Sequence, residues 1–295
     1  MKGRWARVLK FPLIRIILGS VFVVMPAIVL QRVIHTLPIP LASVKILSAL
    51  ASAVGALLGY RVYVQRIERR PLTEFAGRGA LWELGGGLAT GAVLFTASIG
   101  ALALLGVYRV TGTAPAAAMV SPLAAAVAAG ILEELLFRGV VFRIVEAAIG
   151  SWMALAISAA LFGLIHLVNP HATLLGALSI IFEAGVLLAA AYMVTRRLWL
   201  PIGIHVAWNF TQGGIFGVAV SGGAATGVLH GVLSGPTWLS GGTYGAEASA
   251  VAVLVCSTAA IGFLTMAIRR RRIAPAPWQR QHIGRPSTEP GLPME

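Results

Sequence analysis

The chain has 295 residues, 58% hydrophobic and only 11% charged, with a mean hydropathy of +0.86 and a formal net charge of +13. A soluble domain of this length carries about a quarter charged residues, so the composition excludes one and indicates an integral membrane protein. The single cysteine, Cys256, excludes an intramolecular disulfide and a four-cysteine metal site.

Apolar windows long enough to cross about 30 Å of hydrocarbon fall at 12–31, 41–60, 80–107, 116–137, 150–168, 174–195, 199–217 and 249–268. No ten-residue alternation suggests a barrel, so the expectation is an all-α polytopic fold of about eight transmembrane helices around a buried polar cavity. The first window follows a basic start but has no convincing cleavage site, and is read as an uncleaved span. In the third, Gly87 and Gly91 form a small-xxx-small face suited to close helix packing.

The basic residues alternate between the two sides. Lys2, Arg4, Arg7 and Lys10 precede the first span, Arg61, Arg66, Arg69, Arg70 and Arg78 follow the second, and Arg138 and Arg143 follow the fourth. Arg196 and Arg197 follow the sixth, and Arg269 to Arg272, Arg280 and Arg285 occupy the tail. The opposite loops hold Arg32 and Arg109, with no basic residue from Gly217 to Ala248. By the positive-inside rule both termini lie in the cytoplasm, and the charge reports topology and a lipid bilayer partner, with no nucleic acid. Residues 1–272 are expected to form the transmembrane domain, and the Pro-rich, polar stretch 273–295 a disordered cytoplasmic tail.

Against this background the run "AAAVAAGILEELLFRGVVFRIVE" (124–146) is anomalous. Ionisable groups inside a bilayer are costly and face a partner or a watery cavity. Glu134 and Arg138 are spaced i, i+4 with the acid first, the favourable order for a helical ion pair. Glu133, about 100° round the helix, is left free to point elsewhere. Taken alone, both glutamates suit the headgroup layer equally well. Two later stretches add to them: "LFGLIHLVNP" places Phe162 and His166 at i, i+4, and "LPIGIHVAWNF" does the same for His205 and Asn209. A lone histidine in a membrane helix more often bonds a neighbouring helix. Together with a spare carboxylate and an amide, the two histidines form a set able to take a proton from water and to stabilise an oxyanion.

In this order on successive hydrophobic segments, EExxxR, FxxxH and HxxxN resemble the type II CAAX-prenyl-protease and bacteriocin-processing (CPBP, or Abi) family of intramembrane proteases. The resemblance covers about 116–215, including the basic turn and Leu-Trp-Leu-Pro-Ile before the last histidine. It implies an intramembrane endopeptidase acting on a membrane protein or lipidated peptide. Glu133 would serve as general base and His166 would help to hold the attacking water. His205 and Asn209 would stabilise the oxyanion. Glu134 and Arg138 would support, by orienting Glu133 or, for Arg138, by meeting substrate charge, and Phe162 would pack. The family is often labelled metalloprotease, so zinc on Glu133, His166 and His205 is the alternative. Without HExxH, and with Asn209 better suited to donate to an oxyanion, a cofactor-free glutamate mechanism is preferred.

The same residues also fit a non-catalytic adaptor or a bacteriocin-immunity protein that binds peptide in the cavity. A proton-coupled transporter would call for an inverted repeat, which is not apparent. The expected location is a bacterial inner membrane. Straight helices would leave His166 at the far end of its span from Glu133 and His205, so convergence requires tilted, short or displaced helices. Glu183, mid-span in "SIIFEAGVLL", either lines the cavity or bonds a neighbouring helix. The uncharged segment from Ala219 to Gly245 either caps the cavity or is a plain linker.

Overall fold

The computed structural model describes residues 11–224 and 226–279. The basic residues at 2–10, and Arg280, His282 and Arg285, lie outside the described residues. Among the described residues seven helices are long and apolar enough to cross a membrane: α1 (Pro12–His35), α2 (Leu41–Ile67), α3 (Ala80–Leu104), α4 (Ala116–Ile149), α5 (Ser151–Val168), α6 (Leu174–Thr195) and, after a shorter helix α7 (Trp199–Phe210), α8 (Ala250–Arg269). The expected seventh span, 199–217, is instead this shorter helix α7, prolonged by one wide turn, Thr211–Ile215. Gly213 and Gly214 weaken its end, and Gly217, with φ of 62°, stops it.

The fourth span runs on past its expected end at 137 to Ile149, so Arg138 and Arg143 lie within a helix rather than in a loop after it. It breaks at Gly150, whose φ of 89° turns the chain into α5. A two-stranded antiparallel sheet, β1 (Tyr108–Thr113) with β2 (Leu229–Leu233), joins two of the loops that carry few basic residues.

Large apolar side chains such as Ile17, Trp82, Val93 and Leu254 are exposed round the bundle, as a lipid-facing surface requires. With no hydrophobic drive between helices in lipid, close backbone approach at small residues holds them together. A Cβ on Gly87 would lie 2.4 Å from the Leu200 carbonyl oxygen, and one on Gly91 2.2 Å from that of Ile204, so both glycines seat α3 directly on α7. Gly91→Leu is expected to separate the helix that carries His205 from α3 and to cut the yield of folded protein in detergent severalfold. Gly100→Leu, where an added Cβ meets nothing within 4 Å, should leave it unchanged. Equal yields would refute this packing role. Pro26 within α1 removes the N–H that would bond the Phe22 carbonyl, and the Gly59 backbone of α2 closes against that oxygen.

At the basic-loop end, Glu68 pairs with Arg15 (2.6 Å), Arg70 (2.7 Å) and Arg143 (2.6 Å), while Glu74 pairs with Arg70 (2.7 Å) and Arg143 (3.3 Å). Burial pushes the Glu68 carboxyl upward, but Arg143, with Arg15 and Arg70, outweighs it and holds the group at about 2. A depressed carboxylate contributes stability above its unfolded value, about 4.3, and loses that contribution as pH falls through the folded value. Thermal stability in detergent is therefore expected to decline from about pH 4.3 toward pH 2. Glu68→Gln should flatten part of that decline, and a curve superimposable on the wild type would contradict the assignment.

Arg196 also bonds Glu146, and Arg197 bonds Glu83. The start of the tail is held in place. Ser151 N–H donates to the Ala274 carbonyl (3.0 Å), Ala274 N–H donates to Ser151 Oγ (2.8 Å), and Ala276 is buried.

Candidate active site

Glu133 and Glu134 end the regular part of α4. The helix then widens into π turns over Leu135–Phe142, a form that recurs at functional sites because it re-aims side chains from an otherwise uniform helix. Similar wide turns occur at Ile181–Val186, which carries Glu183, and at Thr211–Ile215, just beyond Asn209.

Glu134 and Arg138 are completely buried and paired through Glu134 Oε1 and Arg138 Nη1 at 2.8 Å. The second arm of the Arg138 guanidinium, Nη2, donates to the carbonyls of Gly185 (2.9 Å) and Ala184 (3.2 Å) in α6. Its centre lies 4.6 Å from the centroid of the Phe162 ring of α5. Arg138 thus ties three helices together. Its place is behind the site, with no exposed face to meet substrate charge.

Glu134 also accepts from His205 Nδ1 at 3.0 Å, so it orients His205 rather than Glu133. His166 Nδ1 lies 2.7 Å from the Phe162 carbonyl oxygen. A carbonyl only accepts, so that ring carries its proton on Nδ1, and both histidines turn Nε2 toward the same point. Glu133 stands there, with Oε2 3.8 Å from His166 Nε2 and 3.9 Å from His205 Nε2. Both gaps exceed a hydrogen bond and suit bridging by one water. Oε2 is buried with no protein hydrogen-bond partner, although the Glu133 side chain as a whole is 26% exposed.

The three segments therefore converge. Glu133 lies midway along a 34-residue helix, and His166 is reached by an α5 of only 18 residues. His205 lies two turns into the short α7. Phe162 packs edge-on to His205 with centroids 5.9 Å apart and spaces the two histidines.

A cavity of about 20 Å³, room for one water, is lined by His166, His205, Asn209, Phe162 and Glu183. It is also lined by Trp208, Ser221 and Glu247, which the sequence reading did not single out. Ser221 and Glu247 come from the long loop after α7, which folds back so that Ser221 N–H donates to Glu247 Oε1 (2.5 Å) and Gly222 N–H to the Tyr244 carbonyl (2.7 Å). Burial pushes the Glu247 carboxyl up to about 7 against the hydrogen bonds of Ser221 and Gln212. The one signal for it in the sequence was its being the sole ionisable acid in an otherwise uncharged stretch. His35 and His171 are exposed, away from this cavity.

Glu133, His166 and His205, the alternative zinc set, face one another with Glu133 Oε2 3.8 and 3.9 Å from the two Nε2 atoms. Among the described residues no group of three or more His, Cys, Asp or Glu is arranged to hold a metal ion.

Residues 114–211 match the family model described as Rce1-like type II CAAX prenyl endopeptidase. Over 79 residues the chain is 33% identical to the Bacillus subtilis (strain 168) protein named "Putative membrane peptidase YdiL". That alignment spans 27% of this chain and 30% of the relative, so the chain covers less than a third of the relative's length. No solved structure matches the chain significantly.

Proposed function

With a segment similar to the Rce1-like type II CAAX endopeptidases at its centre, we propose that the chain is an intramembrane peptidase in which Glu133 activates water. The observation that carries this is the unpartnered Glu133 Oε2 set between two Nε2 atoms whose rings are both held from behind. Water held between Glu133 and His166 Nε2 gives its proton to Glu133 as its oxygen attacks the peptide carbonyl carbon. The resulting oxyanion accepts from the Asn209 side-chain N–H and from His205 Nε2–H, the imidazolium being balanced by Glu134. Glu133 then returns the proton to the departing amine, and water and peptide bond are accounted for as acid plus amine. No step uses a metal.

The substrate class is a membrane protein or lipidated peptide. Both termini would lie in the cytoplasm of a bacterial cell and the loop bearing Glu247 on the outer side. The test compares protein termini, by mass spectrometry, in membranes from cells with the wild type or Glu133→Gln at matched levels. New termini confined to the wild type support the reading, and identical sets argue for a peptide-binding protein without chemistry.

A further inference from the structure

A second cavity, of about 380 Å³, lies between α2, α4, the end of α7 and the loop that follows. The space beside His166 and His205 holds one water, whereas this one falls in the range of ligand pockets, roughly 300–1,000 Å³. The two meet at Asn209, which lines both. On α4 the wall of the larger cavity is built from Pro122, Ala125, Ala126 and Ala129. At about 100° per residue these four lie within about 60° of the direction of Glu133, one turn further along the same regular helix. The wall therefore runs down one helix face to the unpartnered Glu133 Oε2. Its small side chains let another backbone approach closely.

Two polar side chains that line this cavity lack a partner among the described residues. The Asn209 side chain makes no hydrogen bond, and Lys45 makes neither a hydrogen bond nor an ion pair. Asn209 has a role in the mechanism above, but Lys45 has none. Lys45 is the only charged residue between Arg32 and Arg61, and it stands one turn inside α2, at the end of the bundle opposite the arginine pairs of Glu68 and Glu74. An ionisable group in an apolar span faces a partner or a watery cavity. Here the cavity is the one that leads to the candidate catalytic glutamate.

We propose that this cavity receives the substrate peptide on one side of the scissile bond, and that Lys45 selects an aspartate or glutamate side chain about three to five residues from that bond. This rests on the peptidase reading above and adds to it the chemistry of one substrate residue. Lys45 and Pro122 lie four and six residues into helices that begin at the same end of the bundle. From Pro122 to Glu133 the rise is about 16 Å, which an extended peptide covers in about five residues. The length of the lysine side chain shortens that span. An ion pair at Lys45 thereby fixes the register of the peptide past Glu133, while the alanine wall admits its backbone.

The test uses the full chain in a non-ionic detergent and dodecapeptides of Leu and Ala, acetylated and amidated so that the termini carry no charge. Asp or Asn is moved through every position. Binding is titrated to Glu133→Gln, alone and combined with Lys45→Gln or Lys45→Glu. Lys45 is exposed, so its replacement leaves the packing of the bundle intact. Asp is expected to bind about fivefold more tightly than Asn at one position, the size of a favourable, partly exposed ion pair. Lys45→Gln should abolish that preference, and Lys45→Glu should transfer it to peptides with Lys in place of Asp. In the wild type, mass spectrometry should place cleavage about three to five residues from that Asp. Equal binding of Asp and Asn, or a preference that Lys45→Gln retains, overturns the subsite and leaves the peptidase reading standing. A preference that depends on Lys45 without cleavage by the wild type keeps the subsite and overturns the peptidase reading. Failure of every peptide to bind overturns both.

Discussion

Glu133→Gln is expected to lower peptide-bond cleavage by the purified protein by at least about 10²- to 10⁴-fold, the contribution of a positioned general base. The side chain is nearly isosteric and its Oε2 makes no hydrogen bond within the protein, so melting temperature and yield should stay close to wild type. Glutamine keeps the reach toward His166 and His205 but takes no proton from water. His205→Gln is expected to act at a different point, removing the Nε2 donor for the oxyanion and leaving Glu134 without its second partner. A combined variant should be little worse than the more damaging single one, since the groups act as a unit. Undiminished cleavage by Glu133→Gln would remove this glutamate from the mechanism. Cleavage that survives exhaustive chelation would support the metal-free proposal, and loss restored by added zinc would reverse it.

Arg138→Met is expected to produce the largest loss of stability of any single change near the site. It leaves Glu134 buried and uncompensated and strips the donor from two α6 carbonyls, a class of change that costs about 3–5 kcal/mol. Arg138→Lys should rescue little, because one ammonium does not reproduce the fork that spans a carboxylate and two carbonyls. The informative comparison is the double variant Glu134→Gln with Arg138→Met. Removing both charges should recover much of the stability, since the penalty lies in the unpaired ion rather than in the absence of the pair. Activity should not return with it, because His205 would then lack the carboxylate that holds its Nδ1 side. Recovery of both together would mean that Glu134 serves the fold alone.

Glu133, Glu134, Arg138, His166, His205 and Asn209 were legible in the sequence because ionisable and amide side chains are conspicuous in apolar spans and their i, i+4 spacing assigns them to helix faces. The match of residues 114–211 to the Rce1-like family model agrees with the resemblance drawn from those motifs over about 116–215. The partner of each residue was not legible. Glu134 was expected to orient Glu133 and instead holds His205, a contact between residues 71 positions apart. Arg138 was given a choice between orienting Glu133 and meeting substrate charge, and its side chain instead bonds Glu134 and two α6 carbonyls beside the Phe162 ring. The seventh expected span came out too long because hydropathy carries on through Thr211–Ile215, whereas the glycines that end α7 act through backbone geometry.

By itself the sequence determined that this protein is a helical membrane protein, where most of its spans lie, and which few polar residues its apolar segments tolerate. Those follow from the cost of burying charge and backbone in hydrocarbon, which is a local property of composition and length. The tertiary structure alone decided that Glu133 faces two Nε2 atoms and that wide turns re-aim α4, α6 and the end of α7. It also decided that a distant loop returns Ser221 and Glu247 to the same cavity. Those depend on how short and broken helices pack and on where positive-φ glycines turn the chain, and neither is written in the periodicity of any one segment.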